Sequence, residues 1–84
     1  MALLRGEIDM AKKMKVVAVN LYGEVVPSVN GVPYYGEWCN PACKAELSRL
    51  IKKAVRIATQ FSGWVQLRDC GRVVSEYDLD GKLI

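Results

Sequence analysis

Eighty-four residues, 51% hydrophobic and 25% charged, describe one small globular domain with room for a single core. The formal charge of +3 is mildly basic, which suits an acidic partner without requiring nucleic acid. Histidine is absent, removing the commonest general base, the commonest zinc ligand and the usual pH switch; no apolar run is long enough for a membrane span.

Residues 1–14 differ from the rest. They hold all three methionines, Met1, Met10 and Met14, and a mixed-charge stretch ahead of the first β-branched run. Arg5-Gly6-Glu7 can be encoded by purine-only codons resembling a bacterial ribosome-binding site upstream of Met10. Met10, or else Met14, is therefore an expected biological start, with 1–14 a tail. The alternative is a short amphipathic helix that lays Leu3, Leu4, Ile8 and Ala11 on the core. The opening residues lack the long apolar region of a secretory signal, so the expected location is cytoplasmic. Residues 15–84 then form one α+β domain.

From Lys15 to Tyr22 the pattern is a short β-branched strand ended by Gly23. Glu24 to Val29 predicts a weaker strand, because Pro27 removes a ladder donor and points to an edge. Asn30-Gly31 between Val29 and Val32 is the strongest hairpin signal in the chain, and Val32-Pro33-Tyr34-Tyr35 returns from it. A helix follows. Asn40 is the expected N-cap and Pro41 suits the first turn. Leu47, Leu50, Ile51, Ala54, Ala58 and Phe61 fall at spacings of three and four, a stripe that must face the core. Ser62-Gly63 ends the helix, glycine taking the C-terminal position.

Trp64 to Arg68 predicts a strand, Asp69-Cys70-Gly71 its turn, and Arg72 to Tyr77 the antiparallel return. Asp78 to Gly81 predicts a last turn before a short strand at Lys82 to Ile84. The order β-β-α-β-β gives an α+β fold, one long amphipathic helix packed on a small antiparallel sheet. The run from Ile57-Ala58 through Asp69-Cys70-Gly71-Arg72-Val73 faintly resembles small bacterial ββαβ domains of unknown function, over less than half the chain. That resemblance implies no activity.

Arg49, Lys52, Lys53 and Arg56 fall in one arc of the helix opposite the apolar stripe. Glu46 is the only acid on the helix, whereas an ordinary solvated face mixes signs to gain i,i+4 pairs. Charge runs of this kind usually serve solvation. The functional reading is docking on an acidic surface, either protein or phosphate backbone. Single-strand binders interleave cations with exposed aromatics. This face has none, since Tyr34, Tyr35 and Trp38 precede the helix and Trp64 follows it. Those rings are expected to fill the core or flank the helix ends. The first turn also lacks base-reading side chains, which argues against sequence-specific DNA recognition.

Cys39-x3-Cys43 brackets the helix start, where the dipole lowers a thiol's pKa. With no histidine as base, no CxxC spacing and a poor ligand set for zinc, small buried thiols are expected for Cys39, Cys43 and Cys70. An odd count with no secretory signal further predicts free thiols. Glu76, Asp78 and Asp80 alternate and would share one face of a strand; Asp78-x-Asp80-Gly81 opens like a calcium loop but lacks its closing glutamate. No catalytic residue, metal site or cofactor is expected.

The expected function is a small non-enzymatic binding protein that docks an acidic protein surface through Arg49, Lys52, Lys53 and Arg56. Its compactness and internal start fit a phage or mobile-element modulator of a host protein. The alternative is a non-specific nucleic-acid binder using the same residues, and an enzyme built on Cys43 is the minority view. No membrane contact is expected. About 70 residues lie near the limit for one core, and a sheet edge left open invites a second copy. A two-fold homodimer through the C-terminal strands, with Val73 and Leu83 at its contact, is therefore expected.

Overall fold

The computed structural model describes residues 14–84. The expectations placed on residues 1–13, the start at Met10 and the helix through Leu3, Leu4, Ile8 and Ala11, lie outside the described residues. Met14, expected to close the tail, is the first residue of β1 and packs against the core.

In chain order the elements are β1 (Met14–Val19), β2 (Ser28–Val29), β3 (Val32–Pro33), β4 (Glu37–Cys39), α1 (Lys44–Gln60), β5 (Trp64–Asp69) and β6 (Arg72–Tyr77). Strands β4, β1, β5 and β6 form one antiparallel sheet in that spatial order, and β2 pairs with β3 in a separate hairpin. The fold is α+β, with one long helix across one face of the sheet. The N-terminal strands are more fragmented than expected. Val25 makes only an isolated bridge to Val19, and Leu21 and Tyr22 are exposed beyond the end of β1. Pro27 and Pro33 limit pairing between β2 and β3 to two residues a side.

The core lies between α1 and the sheet. Leu50, Ile51, Ala54 and Ala58 are buried against Val16, Ala18, Val26, Cys39, Val65 and Leu67, with Leu47 and Phe61 packed at the margins. This is the expected stripe. Alternation along each strand sends the intervening residues to the opposite face: Lys15, Val17 and Val19 from β1, Trp64, Gln66 and Arg68 from β5. Two-residue turns behave as their sequences require. Asn30-Gly31 has φ of 52° and 81°, and Cys70-Gly71 has 53° and 85°, the left-handed pair that matches strand twist.

The helix boundaries differ from those expected. Asn40 does not cap α1. Its Oδ1 accepts from Ala42 N–H at 3.0 Å and its carbonyl from Cys43 N–H at 3.0 Å, closing a separate turn. Cys43 is the N-cap, without a side-chain cap bond, and Glu46 reaches back from the first turn to accept from Asn40 N–H at 2.8 Å. At the other end Ser62, with φ 55°, holds the left-handed position, while Gly63 N–H donates to the Ala58 carbonyl at 3.0 Å. Gly63 is required for a different reason: a Cβ there would overlap the Val19 carbonyl, so the glycine lets the helix exit cross β1.

Candidate functional site

The basic residues lie on the outer face of α1 as the helical period dictates. Arg49, Lys52, Lys53 and Arg56 are all exposed and border a shallow hollow of about 530 Å³ with Ala45 and Ser48. The four are not equivalent. Lys53 pairs with Glu37 of β4, an acid that strand register, not local sequence, brings beneath the helix. Both members are substantially exposed, so the pair adds little stability, but it occupies the Lys53 charge. Among the described residues Arg49, Lys52 and Arg56 have no carboxylate partner. Asp80 lines a neighbouring groove with Lys44 and Lys52.

Two of the four aromatic residues around the helix are not where the sequence suggested. Of Tyr34, Tyr35, Trp38 and Trp64, Tyr34 packs against the core as expected, and its hydroxyl accepts the Ala18 N–H at 2.9 Å, a donor of β1 that lies past the end of β4. Burial pushes the Tyr34 phenol above its ordinary value; the Ala18 bond pulls it down and nearby Glu37 raises it further. Trp38 and Tyr35, expected to fill the core or flank the helix, are 57% and 73% exposed. Both border a recess on the sheet face away from α1, together with Lys15, Val17 and Arg68. The cause is register: Trp38 pairs with Lys15, whose neighbours Met14 and Val16 face the core. The Lys15 ammonium lies 4.5 Å from the Trp38 ring centroid.

A hydrogen-bonded chain crosses this far face. Arg68 Nε and Nη2 donate to Gln66 Oε1 at 2.9 and 2.6 Å. Gln66 Nε2 donates to Glu76 Oε2 at 3.0 Å, and Trp64 Nε1 donates to the same oxygen at 2.7 Å. The two donors, Gln66 foremost, hold the Glu76 carboxyl below its usual range. The three acids expected on one strand face are therefore separated. Glu76 belongs to the far-face chain, whereas Asp78 lies past β6 and its Oδ1 accepts from the N–H groups of Asp80 and Lys82, both at 2.9 Å.

All three cysteines are free, but only Cys39 is buried; Cys43 and Cys70, also expected inside, are exposed. Burial raises the Cys39 thiol, and Glu46 adds to the shift. Cys43 sits at the helix entrance and Cys70 in a turn. Among the described residues no group of three or more cysteines and acids is gathered as a metal site, and no helix is long and apolar enough to cross a membrane. Comparison of the chain with protein-family models, with curated proteins and with solved structures finds no match in any of the three.

Proposed function

We propose that this is a small non-enzymatic binding protein that docks an acidic region of a protein partner through the outer face of α1. The observation that supports it most directly is the set of three exposed cations, Arg49, Lys52 and Arg56, without carboxylate partners among the described residues, on a helix whose one acid is engaged by Asn40. A solvated helix gains from mixed signs, and this face forgoes that gain. Clustered charge of one sign speeds encounter with the opposite sign and fixes orientation. The hollow beside Ser48 leaves the cations splayed around a low centre, a shape suited to a convex acidic surface. Nucleic acid is the weaker partner for this face, because the exposed rings stand on the other side of the sheet.

The test compares capture by wild-type protein with capture by Arg49→Glu/Lys52→Glu/Arg56→Glu, in nuclease-treated lysate at low and high salt. Exposed helix positions usually change stability by less than about 0.5 kcal/mol each, so the variant should stay folded. A protein retained by wild type, released by salt and lost on the reversed helix supports the proposal. Equal retention by a folded triple variant removes it. Two copies are further proposed to pair through β6, whose outer edge is covered, among the described residues, near Tyr77 by Leu83 and Ile84.

A further inference from the structure

The recess on the far face of the sheet has a chemistry of its own. Lys15 from β1 and Arg68 from β5 supply two cations, Trp38 and Tyr35 supply two exposed rings, and Val17 forms an apolar floor. No carboxylate is among the described residues that line it. Glu76 stands on the same face but is engaged by Trp64 and Gln66. Arg68 is anchored through one edge to the neutral Gln66 amide, so its position is fixed while its charge has no carboxylate partner among the described residues. Lys15 lies over one side of the Trp38 ring, and more than half of that residue stays open.

Fixed cations beside exposed rings with no acid between them suit a ligand that is flat and anionic. We propose that this recess binds single-stranded nucleic acid, one base stacking against Trp38 and Tyr35 while adjacent phosphates meet Lys15 and Arg68. Two observations favour that occupant. The volume of about 230 Å³ is below the roughly 300–1,000 Å³ of pockets that enclose a whole small molecule, so the recess takes one ring and leaves the rest of its ligand outside. A polymer unit meets that condition. Duplex nucleic acid does not, because its bases are stacked on each other and offer no face. An extended peptide would need a strand edge, and the nearest, β4, is three residues long with Glu37 tied to Lys53.

The experiment is fluorescence anisotropy of a labelled twelve-nucleotide oligothymidylate titrated with the intact chain at several salt concentrations. Trp38→Ala should weaken binding roughly five- to hundredfold, the range for removal of one stacked ring, and Trp38→Phe should retain most of it. Lys15→Gln with Arg68→Gln should lower the slope of log affinity against log salt by about 1.4, two contacts at about 0.7 each. Arg49→Gln/Lys52→Gln/Arg56→Gln, on the opposite side, should leave binding nearly unchanged. Thermal melts establish that each variant is folded; the exposed Trp38 pair tests the idea even if loss of Arg68 disturbs Gln66. Absence of binding by the intact chain overturns the proposal. So does binding that survives Trp38→Ala but is lost on the helix variant. Binding of an acidic tyrosine-containing peptide of equal charge, with none of the oligonucleotide, would assign the recess to a protein partner instead.

Discussion

The indole N–H of Trp64 and the carboxylate of Glu76 meet at 2.7 Å across the β5–β6 pair, and Gln66 joins the same oxygen at 3.0 Å. Two donors on one carboxylate favour its charged form, which is why the Glu76 carboxyl lies below the ordinary value near 4.3. A depressed native pKa gives stability that is present above the unfolded value and lost as pH falls through the native one. Glu76 should therefore contribute a modest loss of thermal stability as pH falls below about 4, and Glu76→Gln should flatten that part of the acid limb while slightly lowering stability at neutral pH. Melting curves across the acid range decide it; parallel curves for the two proteins would detach Glu76 from the acid response.

Tyr34 presents the opposite sign. Its hydroxyl completes the hydrogen bonding of Ala18 where β4 has already left β1, the chain having turned away at Gly36 with φ 78°. Removing the hydroxyl strands a main-chain donor, so Tyr34→Phe should cost about 1–3 kcal/mol. The raised phenol pKa means that stability present below the unfolded value near 10 is lost as pH climbs through the higher native one. Denaturant titrations should show the wild type weakening at alkaline pH and the phenylalanine variant weakening less over that interval. Equal alkaline losses would mean that another group governs them.

Two glycines separate steric need from conformational need. At Gly63 an added Cβ strikes the Val19 carbonyl, whereas at Gly71 it meets nothing within 4 Å but must hold φ at +85°. Gly71→Ala should cost about 1–2 kcal/mol, the penalty for one left-handed residue. Gly63→Ala should cost at least as much as the upper part of the usual 1–3 kcal/mol for overpacking, because backbone cannot step aside as a flexible side chain does. Urea midpoints of the two variants give the comparison. A milder effect at Gly63 than at Gly71 would mean that the helix exit and β1 separate easily.

What could be read before the structure was local in origin. The helical stripe from Leu47 to Phe61 repeats often enough to define one face, and Asn30-Gly31 and Cys70-Gly71 carry their own turn chemistry. The helix starts three residues later than the sequence suggests because Asn40 has the right side chain for a cap and gives it to Ala42. The far-face recess was not legible. Strand β4 is too short to display alternation, so whether Trp38 points to the core or away is decided by its pairing with Lys15, more than twenty residues back. The same holds for Lys53, which looks like its neighbours on the helix until β4 places Glu37 under it. One signal was available: a lysine in an otherwise apolar strand, Lys15, marks the face that stays wet.

The edge of the sheet at β6 supplies the last expectation. Outward from this strand, Leu83 bridges Tyr77 and Ile84 N–H donates to the Glu76 carbonyl at 2.9 Å, so the final residues cover one end of the edge. From Arg72 to Ser75 no strand lies beyond β6 among the described residues. Val73, Val74, Leu83 and Ile84 are between 43% and 75% exposed there, an apolar strip beside open main-chain groups. The irregularity near Leu67 and Arg68 twists the strand, which blunts such an edge without closing it. A second copy, antiparallel and related by a two-fold axis, would pair β6 with β6 and bury that strip, leaving both α1 faces outward. Light scattering over a tenfold dilution should show a mass falling from dimer toward monomer, and Val74→Lys should shift the midpoint to higher protein concentration. A monomeric mass throughout, with thermal stability independent of concentration, would show that the twist alone protects the edge.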